Sequence, residues 1–142
     1  RLVVFAACDR ILIEESGIAS LISIIDEFTL TIKGDTKIGR DAVGPTQWAI
    51  YTKWEKTSGD DDKEFVQIIQ ALWPDKSEFK RMKAPFRFQP DKKGHQNRIE
   101  INGFPMGQEG LVTLNMWLEV DSKRIGEIHT WTVNIKHETA KA

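Results

Sequence analysis

The chain has one cysteine among its 142 residues, Cys8, so no internal disulfide is available to staple it. It also lacks a surplus of either charge, with 20 basic residues against 21 acidic ones. That balance excludes a partner gathered by the field of the whole molecule, such as bulk nucleic acid or an anionic membrane, and leaves only local patches. No uninterrupted apolar run of about 18 residues occurs, which excludes a membrane-spanning helix. Histidine is scarce too. His95, His129 and His137 have no metal-spaced partners, and the last two would stand roughly 27 Å apart along an extended strand at about 3.3 Å per residue. No serine sits in a Gly-x-Ser-x-Gly elbow. These absences point away from an enzyme and from any metal or cofactor. A lone cysteine fits a reducing compartment, so the expected location is the cytoplasm. The first residue is Arg1 rather than methionine, which leaves room for upstream residues or a processed leader.

What is present is apolar alternation. At this length a single domain, residues 1–142, buries a core without staples. The longest apolar region, Leu2 to Ile32, reads as two strands joined at Glu15-Ser16-Gly17. Ile18 to Phe28 fits a helical face as well as a strand. Its four isoleucines are stiff β-branched residues that crowd a helix, and Phe28 to Ile32 alternates with no helix stop before it, so the strand is preferred. That choice turns Asp26 inward, to be relieved by a bulge or by pairing with Arg10.

The segment Ala6-Ala7-Cys8-Asp9, the turn at Ser16-Gly17 and Ala19 to Asp26 resemble the opening hairpin of a family of small, uncharacterised bacterial β-sandwich proteins, and Ile101 to Pro105 is compatible with it. Members often carry glycine where this chain has Ser23. The resemblance implies the architecture and brings no active residues with it.

Farther along, Lys33 to Pro45 reads as a charged, glycine-rich loop, with a short strand near Ile38. Thr46 to Lys56 alternates, with Trp48, Ile50 and Trp54 on one face and Gln47, Tyr51, Lys53 and Glu55 on the other. Phe65 to Trp73 is expected to return beside it as a hairpin. Asp75 to Gln96 reads as irregular, apart from Phe86-Arg87-Phe88. Arg98 to Gly103 is a strand, and Val112 to Val120 is the cleanest half-buried one. After a turn at Asp121 to Arg124, Ile125 to Ile135 returns with a bulge near Gly126, and the tail from Lys136 is expected to fray. About eight strands without a convincing amphipathic helix predict an all-β, antiparallel β-sandwich.

Four features invite a functional reading. Asp60-Asp61-Asp62 offers oxygens to a hard cation but lacks calcium-loop spacing, so a solvated turn is preferred. Cys8 lies in an apolar strand, where a thiol is inert. The segment from Lys76 to Arg98 is basic, with Lys80, Arg81, Lys83 and Arg87 among interleaved phenylalanines. It resembles a single-stranded nucleic-acid track, yet equally a loop pinned to the core by its rings, and overall neutrality favours the pinned loop. Tyr51 beside Lys53, and Trp117 beside Asn115, lie opposite in parity to the apolar rows and so are expected on outer faces. Rings there suit a protein interface or a sugar face. The expectation is a non-enzymatic interaction or assembly module, self-associating or binding another protein. Carbohydrate binding is the alternative, and single-stranded nucleic acid is third.

Overall fold

Alternating β-branched and aromatic residues fold this chain into nine strands, with no helix among the described residues. In the computed structural model, which describes residues 1–140, they are β1 (Leu2–Ile13), β2 (Ala19–Ile24), β3 (Glu27–Lys33), β4 (Val43–Glu55), β5 (Phe65–Leu72), β6 (Glu78–Phe86), β7 (Gly94–Pro105), β8 (Gly110–Val120) and β9 (Lys123–Ala140). A four-stranded sheet in the order β2-β1-β4-β7 packs on a five-stranded sheet in the order β3-β9-β8-β5-β6. The β-sandwich expected from the sequence is the fold. Its pairings are antiparallel except for β3 with β9, which run parallel.

The core follows period two. Trp48, Ile50 and Trp54 of β4 meet Phe65, Ile69 and Ala71 of β5, Val112, Leu114 and Met116 of β8, and Val133 and Ile135 of β9. Burying one large apolar side chain contributes roughly 1.5–3 kcal/mol. A surface ion pair such as Arg1 with Glu55 or Lys136 with Glu27 contributes about 0–1 kcal/mol, so packing dominates.

The opening hairpin forms as read, with Gly17 at φ 86° and its N–H bonded to the Glu14 carbonyl at 2.8 Å. Ser23, at the position where the resembled family often has glycine, has φ 55°, in the region where a Cβ is costly. The register nevertheless runs unshifted from Cys8 opposite Ile24 to Ile13 opposite Ala19.

Ile18 to Ile32 is extended, as preferred, but it is two strands in different sheets rather than one. The chain crosses at Ile25-Asp26, where the Ile25 carbonyl accepts the Trp131 indole N–H at 2.8 Å and the Asp26 carbonyl accepts the Asn134 N–H at 2.9 Å. Asp26 is exposed and needs neither a bulge nor Arg10. The expected β4–β5 hairpin is likewise a crossing between sheets, because β4 pairs with β1 and β7 while β5 pairs with β6 and β8. Alternation decides which face of a strand is buried, not which strand lies beside it.

The loop after β3 carries no strand near Ile38. The segment read as irregular holds β6, an edge strand that tolerates Pro85 because its outer side needs no donor. The tail expected to fray is strand to Ala140, held beside β3; its last two residues lie outside the described ones. The bulge near Gly126 is present. Residues 126–128 of β9 oppose Trp117 alone, between Met116 opposite His129 and Leu118 opposite Ile125.

Candidate functional site

Tyr51 lies on the face of β4 opposite Trp48, Ile50 and Trp54, as its parity requires, but it is no exposed platform. Its ring is 4% exposed, packed with Cys8, Ile11 and Ala49 in a second cluster. The phenol donates to Gln96 Oε1, and Gln96 Nε2 donates to the Gly17 carbonyl at 2.8 Å. The β1–β2 turn is thereby roped down over the ring, and burial pushes the phenol pKa up. Lys53, next on that face, is exposed.

Trp117 is half-buried on the outer face of the five-stranded sheet. Its indole N–H donates to Glu119 Oε2 at 2.9 Å, and the Arg81 guanidinium sits 5.8 Å from the ring centroid. Arg81 pairs with Glu78 at 3.0 Å, and Gln70 Nε2 donates to the same Glu78 oxygen at 3.1 Å. The Gln70 and Arg81 hydrogen bonds hold the Glu78 carboxyl below its ordinary pKa. Asn115 Oδ1 accepts the Thr130 hydroxyl at 2.9 Å. Ile68, opposite Trp117 in register, is 1% exposed. The indole is therefore engaged with its own sheet. Tyr51 and Trp117 stand on opposite outer faces of the sandwich, so they do not form one sugar platform.

The basic residues expected in a loop sit on and just after β6. Lys80 and Lys83 are exposed on this edge strand, whereas Arg81 is paired with Glu78 and Arg87 with Glu64 at 3.1 Å. The rings between them face inward. Phe86 and Phe88 each lie 5.5 Å from Phe65, and Phe79 packs edge-on against Trp73 at 5.3 Å. Phe86 and Phe88 are buried in the core and Phe79 is half-buried against it.

The aspartate run is a hydrogen-bonded turn. Asp60 Oδ2 accepts from the Thr57 N–H and hydroxyl at 2.8 Å each, and Asp61 pairs with Lys56 at 3.1 Å. Among the described residues no three His, Cys, Asp or Glu side chains are grouped to hold a metal ion. His95 stacks on Phe86 at 4.4 Å, His129 meets Trp54 edge-on at 6.2 Å, and His137 contacts the Met106 carbonyl at 2.6 Å. Cys8 is fully buried, and burial, with Asp9 second, pushes its thiol pKa up. It is the environment of an inert thiol.

The surface that sequence reading passed over is the β1–β2 hairpin itself. Leu12 (52%), Ile13 (39%), Ile18 (61%) and Ile24 (56%) are four of the nine large apolar side chains left exposed among the described residues. They gather on one hairpin whose outer strand, β2, is a free sheet edge. No family profile matches this chain, and no curated protein resembles it. The likeness of the opening hairpin therefore stands on the residues that carry it. A signal was available: Ser16 to Ile25 is a run of ten residues without a charge, bounded by Glu14-Glu15 and Asp26-Glu27.

Proposed function

We propose that this protein is a non-enzymatic interaction module that works through protein contacts, with the β1–β2 hairpin as the contact surface. The observation that carries this reading is that the β1–β2 hairpin leaves Leu12 and Ile13 of β1, Ile18 just before β2 and Ile24 of β2 exposed, while the outer side of β2 has no neighbouring strand among the described residues. Exposed edges are commonly blunted by lysine, proline or inward charge. β6 carries Lys80, Lys83 and Pro85, whereas β2 carries no charged residue or proline.

An extended strand added to β2 gains main-chain hydrogen bonds and seats alternate apolar side chains on the isoleucines. The acidic pairs at both ends of the edge select a strand with basic ends. Self-pairing, antiparallel about Leu21, would bring Glu14-Glu15 of one copy beside Asp26 of the next, like charge near like charge even with Glu27 spent on Lys136. The occupant is therefore another protein's strand rather than a second copy. We also propose a cytoplasmic location, which a single, buried free thiol supports.

The test uses two acetylated peptides of alternating valine and threonine, one with lysines at both ends and one with glutamates. The lysine peptide is expected to shift the β2 amides in a two-dimensional NMR spectrum and to bind at least about tenfold tighter, a difference of about 1.4 kcal/mol. Ile18→Asp and Ile24→Lys abolish the effect. Equal binding of both peptides, or shifts that avoid β2, would sink the assignment, and a stable dimer by sedimentation would overturn the choice of occupant.

A further inference from the structure

A separate feature lies at the open end of the sandwich, where the sheets part beside the β9 bulge. A cleft of about 310 Å³ is walled by Trp54, Phe65, Phe88 and Leu118 and closed on the bulge side by Ile125 and Gly126. We infer that this cleft binds a small, flat apolar molecule that carries an amine.

Three observations lead there. The wall is held in place before any ligand arrives. Trp54 has its indole N–H tied to Gln67 Oε1 at 2.7 Å, and Phe65 packs in a triangle with Phe86 and Phe88, 5.5 Å from each. Preorganised apolar surface of this kind is what small-molecule sites use, and the volume, at the small end of the usual ~300–1,000 Å³, suits a fused ring pair better than a long chain. The second observation is the bulge. Three residues of β9 stand against one of β8 at Gly126, whose φ is 71°, and Ile125 beside them is 38% exposed next to the aromatic wall. Bulges commonly re-aim a strand at the rim of a site.

The third is the charge at the mouth. Asp60 and Glu127 line it, and Arg1 at the same rim spends its guanidinium on Glu55 at 2.6 Å. Asp60 Oδ2 already accepts from Thr57 and His129 also lines the cleft, so Glu127 is the carboxylate that meets a ligand head, and an ammonium or other strong donor is favoured over an acid. This site is independent of the β2 edge, and neither needs the other.

The experiment titrates the whole protein with 1-naphthylmethylamine and, separately, with 1-naphthylacetate, read by amide and indole N–H shifts in NMR. The amine is expected to shift Gly126, Glu127 and the Trp54 indole along one saturating curve with a Kd of about 1 mM or tighter, and the acid to bind at least roughly tenfold more weakly. Ile125→Arg, at an exposed position, is expected to abolish amine binding while the unfolding midpoint stays put. Should that variant fold poorly, Glu127→Lys on the exposed rim serves instead and is expected to reverse the preference toward the acid. Absence of a saturating shift at about 10 mM, equal affinity for the two probes, or unaltered binding by both variants would overturn the inference.

Discussion

Gln67 links the two sheets through a single oxygen. It faces inward from β5 and is 1% exposed. Its Oε1 accepts the Thr52 hydroxyl at 2.6 Å, the Trp54 indole N–H at 2.7 Å and the Asn97 amide at 3.2 Å, all from the opposite sheet. Its own Nε2 is buried without a partner among the described residues. Replacing Gln67 with leucine orphans the Thr52 hydroxyl and the indole N–H, at about 1–3 kcal/mol each, and returns about 1–3 kcal/mol by removing the orphaned amide. The expected net loss is roughly 1–3 kcal/mol. The sharper test is the cycle with Thr52→Val. In the wild type that change gives up a working hydrogen bond and costs about 1 kcal/mol, whereas beside Gln67→Leu it removes an orphan and is neutral or stabilising. A coupling of about 1–2 kcal/mol follows, well above the ~0.5 kcal/mol within which independent sites add. Urea unfolding of the four proteins at a common m-value reads it directly. If Thr52→Val costs the same in both backgrounds, the shared acceptor is not what joins the sheets, and the rigid Trp54 wall of the cleft loses its explanation.

Two further expectations concern stability. Ser23→Gly relieves a left-handed backbone that costs about 1–2 kcal/mol for a residue with a Cβ and gives back part of that as unfolded-state entropy; a net gain of about 0.5–1 kcal/mol in urea unfolding is expected, and a loss would show that the Ser23 side chain itself matters. Asp75 accepts from the Ser77 hydroxyl and N–H first, and also from Arg40 and Gln108, which holds its carboxyl well below the ordinary range. A folded pKa lowered in this way stabilises fully above the unfolded value of about 4 and stops contributing as pH falls through the folded one. Asp75→Asn is therefore expected to lower the melting temperature at about pH 6 and to converge with the wild type in strong acid; a constant gap across that range would contradict the assignment.

The fold was legible where side chains alternate, because parity alone fixes what a strand buries. Trp48, Ile50 and Trp54, the row from Val112 to Val120, and even the bulge at Gly126 follow from it. Partnering was not legible. Whether Phe65 to Leu72 returns beside β4 or crosses to the other sheet is decided by long-range burial, and nothing in the loop Thr57 to Asp62 records that choice. β6 was missed because Pro85 and a run of cations argue against a strand, and both are tolerated only at an edge. Outward parity placed Trp117 correctly but overstated its availability, since Glu119 and Arg81 engage it. For Tyr51 the rope through Gln96 to Gly17 spans residues far apart in sequence, and no local pattern announces it.

The parallel pairing of β3 with β9 has a consequence for synthesis. Among the described residues β3 has no hydrogen-bonding neighbour other than β9, and Glu27 meets Asn134, which leaves the ribosome about a hundred residues later. At about 5–20 residues per second, Phe28, Leu30 and Ile32 wait on the order of 5–20 s for their companion strand. The hairpin just before them zips locally at once, so the newborn chain carries one finished corner beside a greasy thread. A chaperone that keeps this protein from clumping would be expected to hold that thread, and to let go only when the final strand arrives.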